Sequence, residues 1–151
     1  MTARKTAIVT GGATGVGAAT ALLLARRGYD VLINYSKSEA EAKESARACR
    51  EAGADALLAQ GDVAEDAACR RLVGAAMERW KRLDVLVNNA GISTFVGSGN
   101  WEALDAATFQ RIYAVNLLGS FQMTRAAAPH LKAARGAIVN VSSVAGALGI
   151  G

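Results

Sequence analysis

The sequence predicts an α/β protein: a doubly wound parallel sheet of five strands in the order 3-2-1-4-5, with helices on both faces. Three observations carry that prediction. Short apolar runs alternate with helix-patterned segments along the chain, and strict alternation argues parallel strands joined by right-handed crossovers. The runs are apolar at consecutive positions, the pattern of strands covered on both sides. The chain has 151 residues, 52% of them hydrophobic and 20% charged, with 33 alanines and two cysteines. That is enough for one domain, 1–151, with its own core, and it excludes a disordered or disulfide-stapled chain.

The elements follow in order. Ala7-Ile8-Val9 is a buried strand ending at Thr10 and a glycine cluster. Ala18, Ala19, Leu22, Leu23 and Ala25 have helical spacing, closed by Gly28 in a position that tolerates positive φ. Val31-Leu32-Ile33 is the second strand. Ser38 to Glu41 has the form of a capping box, opening a helix that runs to Gly53. Ala56 to Ala59 is the third strand, stopped by Gly61-Asp62, and a helix follows from Glu65 to Arg79. Asp84 to Val87 is the fourth strand, ending in Asn88-Asn89-Ala90-Gly91, and 92–107 reads as loop. A long helix is expected from Thr108 toward Leu131, with Pro129 disturbing its last turn. Ala137 to Val141 is the fifth strand, finishing at Ser142-Ser143.

Composition narrows the function. Cys49 and Cys69 lack metal-ligand spacing, and His130 is the single histidine, so a zinc site or a Ser-His-Asp triad has almost no material. No metal site is expected. Two isolated thiols read as reduced side chains in a cytoplasmic protein. No apolar run approaches a membrane span, and the N-terminus lacks the apolar core of a signal peptide. The net charge is +4, but the 17 basic residues are scattered, which reads as a solvated surface rather than a nucleic-acid face.

Between the first strand and first helix stands Thr10-Gly11-Gly12-Ala13-Thr14-Gly15-Val16-Gly17. A phosphate needs bare backbone N–H groups at a helix N-terminus, and glycine permits the close approach. The turn therefore reads as nucleotide-binding. Its Gly-x-x-x-Gly-x-Gly spacing differs from the common Gly-x-Gly-x-x-Gly fingerprint. With Asp62, Asn88-Asn89-Ala90-Gly91, Val115-Asn116 and Ile138 to Ser143, in that order, it makes the sequence resemble the short-chain dehydrogenases and reductases. Among them the stretches Val31 to Ser38 and Ile138 to Gly146 look most like bacterial members named 3-oxoacyl-acyl-carrier-protein reductases or sugar dehydrogenases.

The resemblance implies a Rossmann-like fold and a nicotinamide cofactor. It implies that Gly11, Thr14, Gly15 and Gly17 line the pyrophosphate, with Val16 packing beneath. Asp62 would accept from the adenine amino group, Val63 would lie along the ring, and Asn88 with Ala90 and Gly91 would stabilise the sheet's centre and let the ribose approach; Asn89 is counted among the cofactor-binding residues. At the end of the second strand, Tyr35, Ser36 and Lys37 bring no carboxylate against a 2′-phosphate, which favours NADP(H) over NAD(H). Thr14 weighs the other way, since NADP-preferring relatives often carry a basic residue there.

For catalysis the resemblance implies that Ser143 orients a carbonyl and Asn116 holds a water in a proton relay. Ser142 is the neighbouring alternative to Ser143. The family's proton donor is a tyrosine followed four residues later by lysine, some 13 residues past the serine. No Tyr-x-x-x-Lys exists here, and eight residues follow Ser143. The expectation is a chain interrupted after strand five, the first part of a carbonyl reductase or alcohol dehydrogenase, inactive alone and homo-oligomeric when full length. Two other classes stay open: a non-catalytic dinucleotide-binding protein, and a methyltransferase-like domain with a nucleoside cofactor.

Overall fold

The computed structural model describes residues 4–97 and 99–148; the sequence readings at 1–3 and 149–151 lie outside them. Five strands, β1 (Lys5–Val9), β2 (Tyr29–Tyr35), β3 (Ala56–Gln60), β4 (Val85–Asn88) and β5 (Ala137–Asn140), form one parallel sheet in the order β3-β2-β1-β4-β5. The order places β1 at the centre. Its last residue, Val9, pairs with Ile33 on one side and Val87 on the other.

Consecutive strand residues serve opposite layers, as the two-residue period of a strand requires. Ile8, Leu32 and Leu86 enter the core under α3 (Asp66–Trp80) and α5 (Ser120–Ala134), with Leu72, Val73, Met123 and Leu131. Val9, Val31, Ile33 and Val87 face the opposite way, into the core under α1 (Gly15–Arg26) and α2 (Glu39–Glu51). Each buried aliphatic side chain contributes about 1.5–3 kcal/mol. Alanines let the helices approach: Ala21, Ala25, Ala46, Ala76 and Ala127 are all buried.

Helix ends follow local chemistry in part. Gly28 (φ +85°) and Gly53 (φ +88°) close α1 and α2 in the left-handed region. α1 begins at Gly15, earlier than its apolar spacing indicates, because the glycine turn itself winds into the first helical turn. The expected capping box is absent. Ser38 precedes α2 but makes no side-chain cap bond, and Lys43 instead pairs with Glu39 at 2.7 Å.

The long helix after β4 differs from its sequence pattern. A 3₁₀ turn (Trp101–Ala103) lies inside the predicted loop, and α4 (Ala106–Tyr113) starts two residues before Thr108. Asp105 sets that start, accepting from the Thr108 amide at 2.8 Å. A π-helical segment, Ala114–Gly119, then joins α4 to α5. Pro129 does not end the helix, which runs on to Ala134 with Ala127 and Leu131 buried on either side of it. A short α6 (Val144–Leu148) follows β5. The strand β5 is an edge, with Ile138 and Val139 exposed on it and Val141 exposed just beyond it.

Candidate functional site

The carboxyl ends of β1, β2, β3 and β4 open onto one groove of about 360 Å³. Twelve of the predicted cofactor residues line it: Gly11, Thr14, Gly15, Val16, Gly17, Tyr35, Ser36, Asp62, Val63, Asn89, Ala90 and Gly91. Lys37 lies next door, with Ser36 and Asp62, in a second depression of about 320 Å³. Asn116 and Ser143 stand outside the groove's lining.

Side-chain bonds between strand ends hold the walls. Thr10, buried at the tip of β1, accepts from the amides of Asn89 and Ala90, both at 3.0 Å. Asn89 returns two bonds, donating from Nδ2 to the carbonyls of Thr10 (2.9 Å) and Gly11 (3.1 Å). Asn34, 2% exposed near the end of β2, accepts from the Gly11 amide at 3.2 Å and donates to the Gly61 carbonyl at 2.9 Å. Ser45 of α2 donates to the Gly12 carbonyl at 2.9 Å. Asn34, Thr10 and Ser45 are structural determinants that strand and helix patterns do not reveal. A polar residue buried in a strand is itself the available signal, because burial demands partners.

The glycines meet different demands. Gly11 (φ +61°) and Gly15 (φ +53°) occupy the left-handed region. Gly17 is fixed by space: a Cβ there would stand 2.2 Å from the Gly11 carbonyl oxygen and 2.5 Å from Asn89 Nδ2. Below this turn α1 presents its N-terminus, with no acidic residue in the first turn and no side-chain cap from Thr14. Among the described residues, no protein oxygen accepts from the amides of Gly15, Val16 or Gly17; the first bond back is Ala18 to Thr14 at 3.1 Å. The geometry is that of an anion cradle.

One side chain departs from its expected placement. Val16 does not pack beneath the turn; it is 62% exposed at the groove mouth, because the helical phase turns Gly17 inward instead. Val63 lines the groove and is at the same time packed in the core, where a Cβ on Gly119 would meet its Cγ2 at 2.6 Å.

Asp62 sits on the β3–α3 connection. One carboxylate oxygen accepts from the Ala64 amide at 3.0 Å, and the other accepts from Arg111 of α4 at 2.5 Å. Partial burial works against its ionisation. The Ala64 amide, Arg111 and Lys37 together outweigh that effect and hold the carboxyl below the ordinary carboxylate range. Arg111 was absent from the sequence reading, since an arginine on an exposed helix face carries no pattern of its own.

Asn116 lies in the π segment, and both ends of its amide are engaged by one residue. Oδ1 accepts from the Ile92 amide and Nδ2 donates to the Ile92 carbonyl, each at 2.9 Å. The side chain therefore pins the segment after Gly91 to the helix. Ser143 stands at the head of α6, its Oγ accepting from the Ala145 amide at 3.2 Å, which leaves its hydroxyl hydrogen free to donate. Among the described residues there is no cluster of three or more potential metal ligands, and no helix is long and apolar enough to cross a membrane. Burial, with Asp66 and Asp62 nearby, pushes the Cys69 thiol up to about 11, so it is a packing residue rather than a nucleophile.

A glycine cradle at a helix N-terminus, on the carboxyl edge of a doubly wound sheet, defines a nucleotide-binding α/β protein. The family model for short chain dehydrogenases matches residues 5–151, and the chain belongs to that family. It is 41% identical over 141 residues to a Streptomyces violaceoruber protein assigned as ketoacyl reductase 2 of the granaticin polyketide synthase, covering 93% of this chain and 55% of that protein. It is 42% identical over 148 residues to cis-4-hydroxycyclohexanecarboxylate dehydrogenase of Sinomonas cyclohexanicum, covering 97% and 58% respectively. A crystal structure from Burkholderia xenovorans, assigned to the short-chain dehydrogenase/reductases, superposes with TM-score 0.95 at 39% identity, covering 100% of this chain and 64% of that one. The chain thus spans about half the length of the curated relatives it matches.

Proposed function

We propose that the groove binds a nicotinamide dinucleotide, NADP(H) in preference to NAD(H), and that the chain is the cofactor-binding part of a short-chain oxidoreductase acting on a small carbonyl or alcohol substrate. The observation that carries this reading is the cradle: three amides at the α1 N-terminus without protein acceptors among the described residues, beneath glycines that no Cβ-bearing residue replaces without strain or clash.

When bound, the cofactor supplies or accepts a hydride. The residues of this chain hold and orient it. The Gly15, Val16 and Gly17 amides would receive phosphate oxygens, and Gly11 with Ala90 and Gly91 would admit the ribose. Asp62 would accept from the adenine amino group through a lone pair that Ala64 and Arg111 leave open, since each carboxylate oxygen can accept twice. Ser36 and Lys37 would face a 2′-phosphate.

Asn116 positions the segment from Gly91 to Ile92 and, with one Nδ2 hydrogen and one Oδ1 lone pair uncommitted, would still hold a water in the proton relay. Ser143 would donate to the substrate oxygen. The proton donor of the reaction is assigned to no residue of this sequence, which contains no Tyr-x-x-x-Lys. The 151-residue chain is accordingly expected to bind cofactor without turnover. We assign the exposed Phe109, Tyr113, Leu117 and Phe121 to the contact between copies in a homo-oligomer of the full gene product.

The test is a titration of the full gene product with NADPH, NADH and S-adenosylmethionine by calorimetry. Tighter binding of NADPH than of NADH supports the reading. Binding of S-adenosylmethionine alone would overturn it, and robust carbonyl reduction by the 151-residue chain would overturn its inactivity.

A further inference from the structure

The depression beside the groove is lined by Ser36, Lys37, Asp62, Glu65, Arg71 and Arg111 among others. Arg111 is the one of these that belongs to α4, and it lines both the groove and the depression. It reaches across from α4 to the β3–α3 connection to hold Asp62. Neither Lys37 nor Arg71 forms an ion pair among the described residues. With Arg111 in place the depression carries three cations against two carboxylates, and without it the two signs balance.

We infer that Arg111 sets cofactor selectivity by neutralising Asp62, so that a carboxylate can serve the adenine while a 2′-phosphate occupies the same corner. The problem it solves is electrostatic. An ionised carboxylate close to a 2′-phosphate repels it, and a carboxylate is the usual means by which such a site rejects NADP(H). Here the carboxylate stands on the β3–α3 connection instead of at the end of β2, and its charge is countered by a guanidinium from a different element. The pair also fixes the Asp62 carboxylate, since Ala64 holds its other oxygen. Arg111 acts through Asp62 and is a positioning residue.

This inference rests on the cofactor reading above, and one experiment separates the two. Dissociation constants for NADPH and NADH are measured on the full gene product, wild type, Arg111→Gln, Arg111→Lys, Asp62→Asn and the Asp62→Asn/Arg111→Gln double variant, at low and high salt. Arg111→Gln is expected to weaken NADPH about tenfold and NADH less than twofold, because the charge left uncompensated on Asp62 acts on the 2′-phosphate that NADPH alone carries. Arg111→Lys should restore most of the loss. The Asp62→Asn/Arg111→Gln double variant leaves two cations against one carboxylate, the wild-type balance, and should keep about the wild-type NADPH to NADH ratio, whereas Asp62→Asn alone should raise it.

A merely structural arginine would weaken both cofactors equally and would not be rescued by lysine; that result overturns the inference. So does an unchanged NADPH preference in Arg111→Gln when the wild type prefers NADPH. A wild type that prefers NADH, or binds neither, overturns the cofactor reading instead. Thermal melting of each variant shows that the fold is retained, as expected for a side chain 47% exposed.

Discussion

Gly17→Ala separates two roles of glycine that usually coincide. Gly17 lies in the first turn of α1 with helical backbone, so alanine there gains up to about 1 kcal/mol of helix propensity. Against that gain, its Cβ would stand 2.2 Å from the Gly11 carbonyl oxygen, where ordinary contacts begin near 3.4 Å. The glycine turn or the helix end must move by more than an ångström. Overpacking of that kind costs about 1–3 kcal/mol. The same movement breaks the Asn89 bonds to Thr10 and Gly11, each worth about 1 kcal/mol. The net expectation is a loss of about 2–4 kcal/mol. Urea unfolding followed by far-UV circular dichroism measures it by linear extrapolation. Gly74→Ala is the internal control, since Gly74 is exposed in α3 and a Cβ there meets nothing within 4 Å. It should gain up to about 1 kcal/mol. Should Gly17→Ala be stabilised like Gly74→Ala, the close approach of α1 to the turn is not rigid and the reasoning fails.

Two further outcomes follow from the same network. Thr10→Val keeps the shape but leaves the Asn89 and Ala90 amides without their acceptor; it should cost about 1–3 kcal/mol in urea unfolding and weaken cofactor binding, whereas Thr10→Ser should retain both. The buried Asp84 accepts from the Thr6 amide at 2.9 Å and from Arg82 at 2.7 Å. Burial opposes its ionisation, and Arg82, the Thr6 amide and Lys5 outweigh burial, so its folded pKa lies below the ordinary carboxylate value. Stability from Asp84 is therefore complete above the unfolded value of about 4 and is lost as pH falls through the lower folded value. Thermal melts between pH 6 and pH 2 should fall more steeply for wild type than for Asp84→Asn; equal slopes would assign the acid sensitivity elsewhere.

The sheet was legible because burial on both faces writes itself as consecutive β-branched and aliphatic residues, as at Ala7 to Val9 and Val31 to Ile33. The cradle was legible because positive φ and close approach both demand glycine, and Gly11, Gly15 and Gly17 sit in the turn they predict. What the sequence concealed depends on partners distant in the chain. The helical spacing from Thr108 to Leu131 is continuous, so nothing local reports the π segment. Its companion is Asn116's attachment to Ile92, a residue on a loop with no pattern. Ser38 to Glu41 satisfied a local capping rule, yet no side-chain cap bond forms at Ser38. Asp105 capped α4 unannounced because the segment before it shows no apolar period.

The ties that shape the groove link residues 23 to 80 positions apart, and that separation orders events during synthesis. In chain order the glycine turn precedes its partners: Gly11 waits for Asn34, and Thr10 waits for Asn89 and Ala90. Until Asn89 and Ala90 have followed it, the turn has its sequence without its walls. A ligand of the groove can select only a chain in which β1, β2 and β4 have already come together, and its binding free energy then adds to the stability of that assembled sheet. In this protein, recognition of the ligand is a check on completed topology.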